Sequence, residues 1–470
     1  MVFNSPAFLF MFLPLTFFLY HVIPGKTGKN ILLGLLSLIF YAFGGVAQLP
    51  VLVLAAVWNY LLGLRLTREG DRRALWRTLA VAGDLALLGV YKYLDFLLSV
   101  FRLPALSQSL PLPLGISFFT FHAISYIVDV YRDPGCAEKR FDRFFLYIAF
   151  FPRLLAGPIV RWREGRNQLT DRETSLTDTA AGLRRFVRGM AKKLLLAESA
   201  ARVANGVYAL DGGSLSTALA WLGALAYCLQ IFFDFAGYSD MAIGLGRLFG
   251  FTFSENFDYP YTAKTLTEFW RRWHMTLNRW FVDYLYIPLG GSRRGIWISL
   301  RNRMIVFFFT GLWHGAGWTF ILWGLWHGLF VSLEGLARPR LDAWEKKAAG
   351  RALLHVYTLL VVLVGFVMFR AATVGQAFAI LGRMFSFVPG TISAGLAMKT
   401  ILTPARAVFM GLGVLLSLPV VPMLRTRLTA KAGDGTALEA VENLLALAGL
   451  LLCVLAMAGG NFTPFIYQQF

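Results

Sequence analysis

Met304-Ile305-Val306-Phe307-Phe308-Phe309-Thr310-Gly311-Leu312-Trp313-His314-Gly315-Ala316-Gly317-Trp318 opens an apolar run that continues to Leu333. The run has the length of a helical hairpin turning at Gly315-Ala316-Gly317, set in a hydrocarbon core of roughly 30 Å. An ionisable side chain inside such a run is expensive, roughly 2.5 kcal/mol or more on insertion scales for the charged types, so His314 reads first as a functional residue. If the helix starts near Arg303 at one surface, the eleven residues to His314 place it about 17 Å deep, near the midplane. A neutral imidazole at that depth can take a proton from a hydroxyl and later return it. Thr310, four residues earlier on the same face, is placed to orient the ring. The competing reading is a histidine hydrogen-bonded across a helix interface for packing; the neighbouring glycines, which open space around the ring, favour function.

The rest of the chain has the same character. Of 470 residues, 57% are hydrophobic, 15% aromatic and only 15% charged. Apolar stretches long enough to cross a bilayer recur throughout, which describes one polytopic, all-α integral membrane domain over residues 1–470. The net charge of +19 does not point to nucleic acid, because 36 of the 45 Lys and Arg fall in seven hydrophilic segments: 24–30, 65–77, 132–143, 161–193, 264–303, 336–351 and 425–431. With all seven on the cytoplasmic side the apolar stretches between them alternate consistently, as the positive-inside rule requires. Attraction of anionic membrane lipid is a smaller role for the same charge.

Crossings are expected at 7–22, 30–46, 48–65, 77–99 and 113–131, with the first segment retained in the membrane, since Met1 to Pro6 lacks a basic n-region. Residues 144–160 are apolar but interrupted by Pro152-Arg153 and Gly157-Pro158, and fit a re-entrant hairpin. From Thr179 to Asn205, Leu183, Phe186, Val187, Met190 and Leu194 alternate with basic residues. That pattern is a basic amphipathic helix, lying on the inner leaflet or solvated beside it. Two short crossings are expected in 216–252, around a polar break from Asp234 to Asp240, then the 304–335 hairpin, 352–370, 405–424 and 440–458. The sum is about eleven to twelve transmembrane helices plus re-entrant and interfacial elements, with both termini extracytoplasmic.

Other candidate residues carry weaker signals. On a helical wheel Trp270, Trp273, Leu277, Trp280, Phe281 and Tyr284 share a face, with His274 at its edge and Arg272, Arg279 and Asp283 opposite. His327, within Trp323-Gly324-Leu325-Trp326-His327-Gly328, is a third buried candidate, for which a structural role is the stronger reading. The histidines lack metal-ligand spacing, and Cys136, Cys228 and Cys453 are too few and scattered for a disulfide framework or metal cluster. No metal and no bound cofactor is expected.

Longer motifs sharpen the reading. Asp234-Phe235-Ala236-Gly237-Tyr238-Ser239-Asp240-Met241-Ala242, Glu255-Asn256-Phe257-Asp258-Tyr259-Pro260-Tyr261, Glu268-Phe269-Trp270-Arg271-Arg272-Trp273-His274 and Asp283-Tyr284-Leu285-Tyr286-Ile287-Pro288-Leu289-Gly290-Gly291 follow in order. With Pro113-Leu114-Gly115-Ile116-Ser117-Phe118-Phe119-Thr120-Phe121, Ala156-Gly157-Pro158-Ile159-Val160, Leu312-Trp313-His314-Gly315 and the ending Pro464-Phe465-Ile466-Tyr467, they resemble the membrane-bound O-acyltransferase family. The resemblance is to its bacterial branch, which includes the membrane subunit of alginate O-acetyltransferase, and it spans essentially the whole chain. Two positions depart from the pattern: His122 stands where a glutamine is expected, and Val282 where an arginine is.

The resemblance implies a catalytic role for His314 and a second functional role for His274, around a central tunnel. A cytoplasmic thioester, acetyl-CoA, would present its acyl end there, with its phosphates near Arg271, Arg272, Arg293 and Arg294. Asn278 and indole N–H groups such as that of Trp273 are the implied oxyanion donors, with Thr310 and His327 behind them. The acceptor would be an exported or cell-wall polysaccharide, reached directly or through an extracytoplasmic acetyltransferase partner, from the bacterial plasma membrane. Two alternatives stay open: transfer of D-alanine or another acyl group from a carrier protein to teichoic acid, and a transporter using His314 as a proton relay.

Overall fold

The computed structural model describes residues 1–68, 70, 72–106, 111–432, 435–459 and 465. Among the described residues every regular element is a helix. Five helices are long and apolar enough to cross a membrane: Val46–Leu66, Thr217–Leu248, Trp318–Leu336, Ala348–Arg370 and Ala437–Ala458. The pair Ile392–Ile401 and Pro404–Leu416, bent by 70°, makes a sixth if taken as one broken span. These helices make the chain a multi-pass membrane protein. On the Gly435–Ala458 helix, Leu444, Leu445, Leu447, Leu451, Leu452 and Leu455 all stay exposed, as lipid-facing leucines do.

Apart from Ile296–His314, a continuous helix of 19 residues, the remaining expected crossings are shorter or broken, for reasons visible in the chain. Residues 77–99 form Arg73–Leu88 and Leu94–Val100 joined by a π-helical turn at Gly89–Tyr93, and carry buried Asp84, held 2.7 Å from the Asn59 side-chain amide. The stretch 405–424 divides at Leu416 into Pro404–Leu416 and Val420–Ala432. Conversely, the polar break expected from Asp234 to Asp240 does not exist. Thr217–Leu248 is one helix of 32 residues, and its carboxylates are met by cations: Asp234 by Lys193, and Asp240 by Arg185 at 2.8 Å. Pairing removes the reason for a break, because a buried charge is costly chiefly when alone.

The chain divides into two compact units. One comprises Met1–Phe186 and Ser239–Glu255. Its core is a cluster of phenylalanine rings, Phe3, Phe8, Phe12, Phe40, Phe151 and Phe249, with centroids 5.0 to 6.2 Å apart in the contacting pairs. Within it, the interrupted segment anticipated at 144–160 is broken: Phe141–Ala149 stops and Phe151–Leu154 restarts with Pro152 in its first turn, every residue from 144 to 162 being buried. Irregular backbone there is satisfied by protein: Val160 N–H donates to His122 Nε2 at 3.2 Å, and the Tyr147 hydroxyl donates to Val160 O at 2.9 Å.

The other unit comprises Val187–Tyr238 and Asn256–Phe470. The basic helix expected from Thr179 to Asn205 is continuous through Leu176–Ala191, a π-helical turn at Lys192–Ala197 and Glu198–Tyr208. Lys193 reaches Asp234 in this unit, and its ammonium lies 4.8 Å from the Phe465 ring. Of the terminal motif Pro464-Phe465-Ile466-Tyr467, only Phe465 is among the described residues.

Candidate active site

Two glycines set the geometry of the hairpin that carries His314. A Cβ on Gly311 would lie 2.3 Å from Phe320 O, and one on Gly324 would lie 2.3 Å from Phe307 O. Only glycine lets the Ile296–His314 and Trp318–Leu336 helices approach so closely. Gly315 then leaves the first helix in extended conformation, and the chain turns where the spacing predicts. His314, the last residue of its helix, is 2% exposed. Its ring centroid lies 4.9 Å from that of Trp313, 5.1 Å from Trp323 and 5.2 Å from Phe369.

His274 reaches the same place by a different local structure from the one the helical wheel suggests. No single helix runs through 268–284. Leu266–Arg272 ends, Met275–Phe281 begins anew, and His274 between them is left-handed at φ 45°, ψ 52°. Holding a non-glycine residue there costs about 1–3 kcal/mol, so its surroundings must fix it. Asn256 does so. Its carbonyl accepts the Met275 N–H at 2.9 Å, and its Oδ1 faces His274 Nδ1 at 3.1 Å, the Thr276 hydroxyl at 3.0 Å and the Thr276 N–H at 3.3 Å. A backbone N–H can only donate, so the amide oxygen must lie on this side. His274 therefore carries its proton on Nδ1 and its lone pair on Nε2. Burial lowers its pKa from 6.5 to about 3, which keeps the ring neutral near pH 7.

The helix leading to His274 is anchored from the hairpin. Buried Glu334 accepts the N–H groups of Leu266 at 2.5 Å and Thr267 at 2.8 Å, a carboxylate at a helix N-terminus. The outcome is a ring pair: His274 and His314 have centroids 6.4 Å apart, with Phe235 at 4.5 Å and Trp313 at 5.9 Å from His274. His327 extends the group, its ring 5.2 Å from Trp323 and 5.1 Å from Trp270. Among the described residues neither nitrogen of His327 has a hydrogen-bond partner, nor do the indole N–H groups of Trp270 and Trp323.

The other expected positions divide. Arg271, Arg293 and Arg294 are exposed and free to meet a polyanion. Arg272 is engaged by Glu268 at 3.0 Å and Asp258 at 3.2 Å, which removes it from the simple picture of an open phosphate contact. The Asn278 amide donates to Trp270 O at 3.1 Å, and Trp273 stacks on Phe269 at 5.5 Å in a wall with Phe257 and Phe366. The Trp323 ring lies 5.1 Å from that of His314, and its indole N–H has no partner among the described residues. Thr310 gives its hydroxyl proton to Val306 O at 2.8 Å, so it does not orient His314 by donation. Asn256, eighteen residues from His274, lies in the Glu255–Tyr261 motif, but nothing in its spacing marks it as the partner. Trp323 stands in the same Trp- and Gly-rich run as His327, again without a distinguishing signal.

Comparison with known sequences bears on what this group can do. The pattern of the membrane-bound O-acyltransferase (MBOAT) family matches residues 114–371, more than half of the chain. The chain is 43% identical over 404 residues to the "Probable alginate O-acetylase AlgI" of Azotobacter vinelandii, covering 84% of this chain and 80% of that protein. To the protein of the same name from Pseudomonas putida it is 38% identical over the full length of both. The "Peptidoglycan O-acetyltransferase" of Helicobacter pylori is 39% identical over 71% of this chain and 70% of its own length. His274 and His314 both fall inside the matched span.

Proposed function

Because the chain belongs to the membrane-bound O-acyltransferase family and is a multi-pass membrane O-acyltransferase, we propose that it moves acetyl groups from cytoplasmic acetyl-CoA to an exported polysaccharide, with His314 as the base. The observation that carries this reading is the pair of buried imidazoles, 6.4 Å apart, walled by aromatic rings. A hydroxyl entering beside His314 gives its proton to the imidazole as its oxygen attacks the thioester carbonyl carbon. The tetrahedral intermediate then collapses, the C–S bond breaks, and the departing thiolate takes the proton from His314. The Trp323 indole N–H, beside the His314 ring, supplies the donor for the developing oxyanion. His274, with Nε2 as its basic face, accepts a hydrogen bond from a donor in the same chamber and holds it in line.

The donor's phosphates rest on the exposed Arg271, Arg293 and Arg294 at the cytoplasmic face, and the acetyl end reaches His314 through a central tunnel. In this reading the protein sits in the bacterial plasma membrane with both termini outside. An extracytoplasmic acetyltransferase partner takes the acetyl group onward to the polymer, alginate or peptidoglycan being the acceptors named for relatives.

The test is transfer of radiolabelled acetyl from acetyl-CoA by purified protein in proteoliposomes, with candidate outer acceptors and partner proteins present. His314→Ala, folded as judged by its Tm, is expected to lose transfer by about 10²–10⁴. Full transfer by the variant removes His314 as the base. Transfer from a charged carrier protein but not from acetyl-CoA removes the proposed donor.

A further inference from the structure

One buried charge lies outside this chemistry. Arg153 belongs to the unit of residues 1–186 and 239–255, and sits where the Phe141–Ala149 helix stops and the chain restarts at Phe151. It is 4% exposed. Its Nη2 donates to the Tyr147 carbonyl, and its guanidinium lies 4.7 Å from the Tyr147 ring and 5.9 Å from that of Phe253. Nε and Nη1 have no hydrogen-bond partner among the described residues. Its neighbours in sequence are better met: Arg161 by Glu164, and Arg172 by the Tyr20 hydroxyl at 3.1 Å and the carbonyls of Gln168 and Leu169.

The same arginine lines a cavity with Leu146, Phe150, Val160, Leu169 and Phe251. The empty space is about 270 Å³ with its mouth included, and the enclosed part admits little more than one small group. Gln168, at the edge, spends its amide on Thr252, accepting its N–H at 2.7 Å and donating to its O at 3.1 Å. Arg153 is thus the lining residue that brings unused donors.

We propose that this cavity binds a small carboxylate, of the size of formate or acetate, held by Arg153. A guanidinium does not deprotonate in a protein, so a buried one needs either a counter-anion or rings to offset its lost hydration. The two ring contacts offset part of that cost and leave the N–H donors unused. Arg153 is the one charged side chain among the lining residues, with Arg172 standing behind the Phe251 ring at 4.4 Å. A single charge at the wall matches a monoanion better than a phosphate, as planar N–H donors match a planar carboxylate. The aromatic and aliphatic walls suit a methyl group or a hydrogen on the far side. The proposal does not rest on the acetyl-transfer reading, since it concerns other residues and a separate binding event.

Purified full-length protein in zwitterionic-lipid nanodiscs tests it. Sodium acetate and sodium formate are titrated against sodium chloride at equal ionic strength, following Tm and saturation-transfer NMR of the acetate methyl. The wild type is expected to show a saturable rise of about 2–4 °C and a methyl signal. Arg153→Met is expected to lose both, with a carboxylate-free Tm equal to or above that of wild type, because an uncompensated charge has gone. Arg153→Lys keeps the charge but fewer donors, and is expected to bind acetate about tenfold more weakly or worse. An equal response to chloride, or an acetate response retained in Arg153→Met, overturns the proposal. A response to inorganic phosphate or phosphatidylglycerol vesicles alone overturns the carboxylate. Should Arg153→Met not fold, acetate binding undiminished in Arg153→Lys overturns it equally.

Discussion

Asn256 decides which nitrogen of His274 is basic, and it does so with one atom. Its Oδ1 takes the His274 Nδ1–H, the Thr276 hydroxyl and the Thr276 N–H together, fixing both the tautomer and the left-handed backbone that turns the ring toward His314. Asn256→Ala removes that acceptor and leaves buried donors unmatched, at a cost of about 1–3 kcal/mol in stability. If His274 works through Nε2, the same variant also lowers kcat for acetyl transfer by about tenfold or more while the KM for acetyl-CoA stays within about twofold. A Tm loss with kcat unchanged would reduce the contact to packing. The burial of His314 at the hairpin turn is legible in the sequence, because it stands in a glycine-rich apolar run. Asn256 is not, because a hydrogen bond across a chain reversal of eighteen residues leaves no periodic trace.

The hairpin and the segment around His274 show what periodicity can and cannot read in a helix. The turn expected at Gly315-Ala316-Gly317 joins Ile296–His314 to Trp318–Leu336, and Gly311, Gly324 and Gly328 let the two helices pair closely. Gly324→Ala would set a Cβ 2.3 Å from Phe307 O and 3.1 Å from Gly311 Cα. Backbone cannot yield as a side-chain tip can, so the helices must part, costing about 1–3 kcal/mol or more. Trp323 and His314 move with them, and transfer is expected to fall along with Tm. Gly411→Ala is the control: nothing lies within 4 Å of its Cβ, and its Tm should hold or rise slightly, Ala favouring a helix by about 0.5–1 kcal/mol. Equal behaviour of the two variants in thermal unfolding would refute the close-packing argument. The wheel over 270–284 misleads because a helical period continues in the sequence across a break held by hydrogen bonds that join Asn256 to Met275 and Asp258 to Arg272. Asp234 to Asp240 misleads in the opposite sense, since polar residues suggest an interruption that Lys193 and Arg185 make unnecessary.

At the scale of the whole molecule, the distribution of charge predicts what no single contact can, the orientation of the chain. The excess of 19 positive charges gathers in segments that alternate with apolar helices, and the segment around the exposed Arg338–Glu345 helix is one of them. If that segment is cytoplasmic, so is the basic stretch 264–303, and Arg271, Arg293 and Arg294 face the compartment that holds acetyl-CoA. The three native cysteines are buried, so a cysteine introduced at exposed Arg340 can be read above a low background. With Arg340→Cys, a membrane-impermeant maleimide is expected to label opened cells and spare intact ones. Labelling of intact cells would place these arginines outside, away from the donor. The proposed direction of transfer would then fall even if His314 kept its role, because a thioester made in the cytoplasm could not reach a mouth on the other face. The orientation is therefore the premise on which donor, tunnel and acceptor side all depend, and one exposed residue tests it.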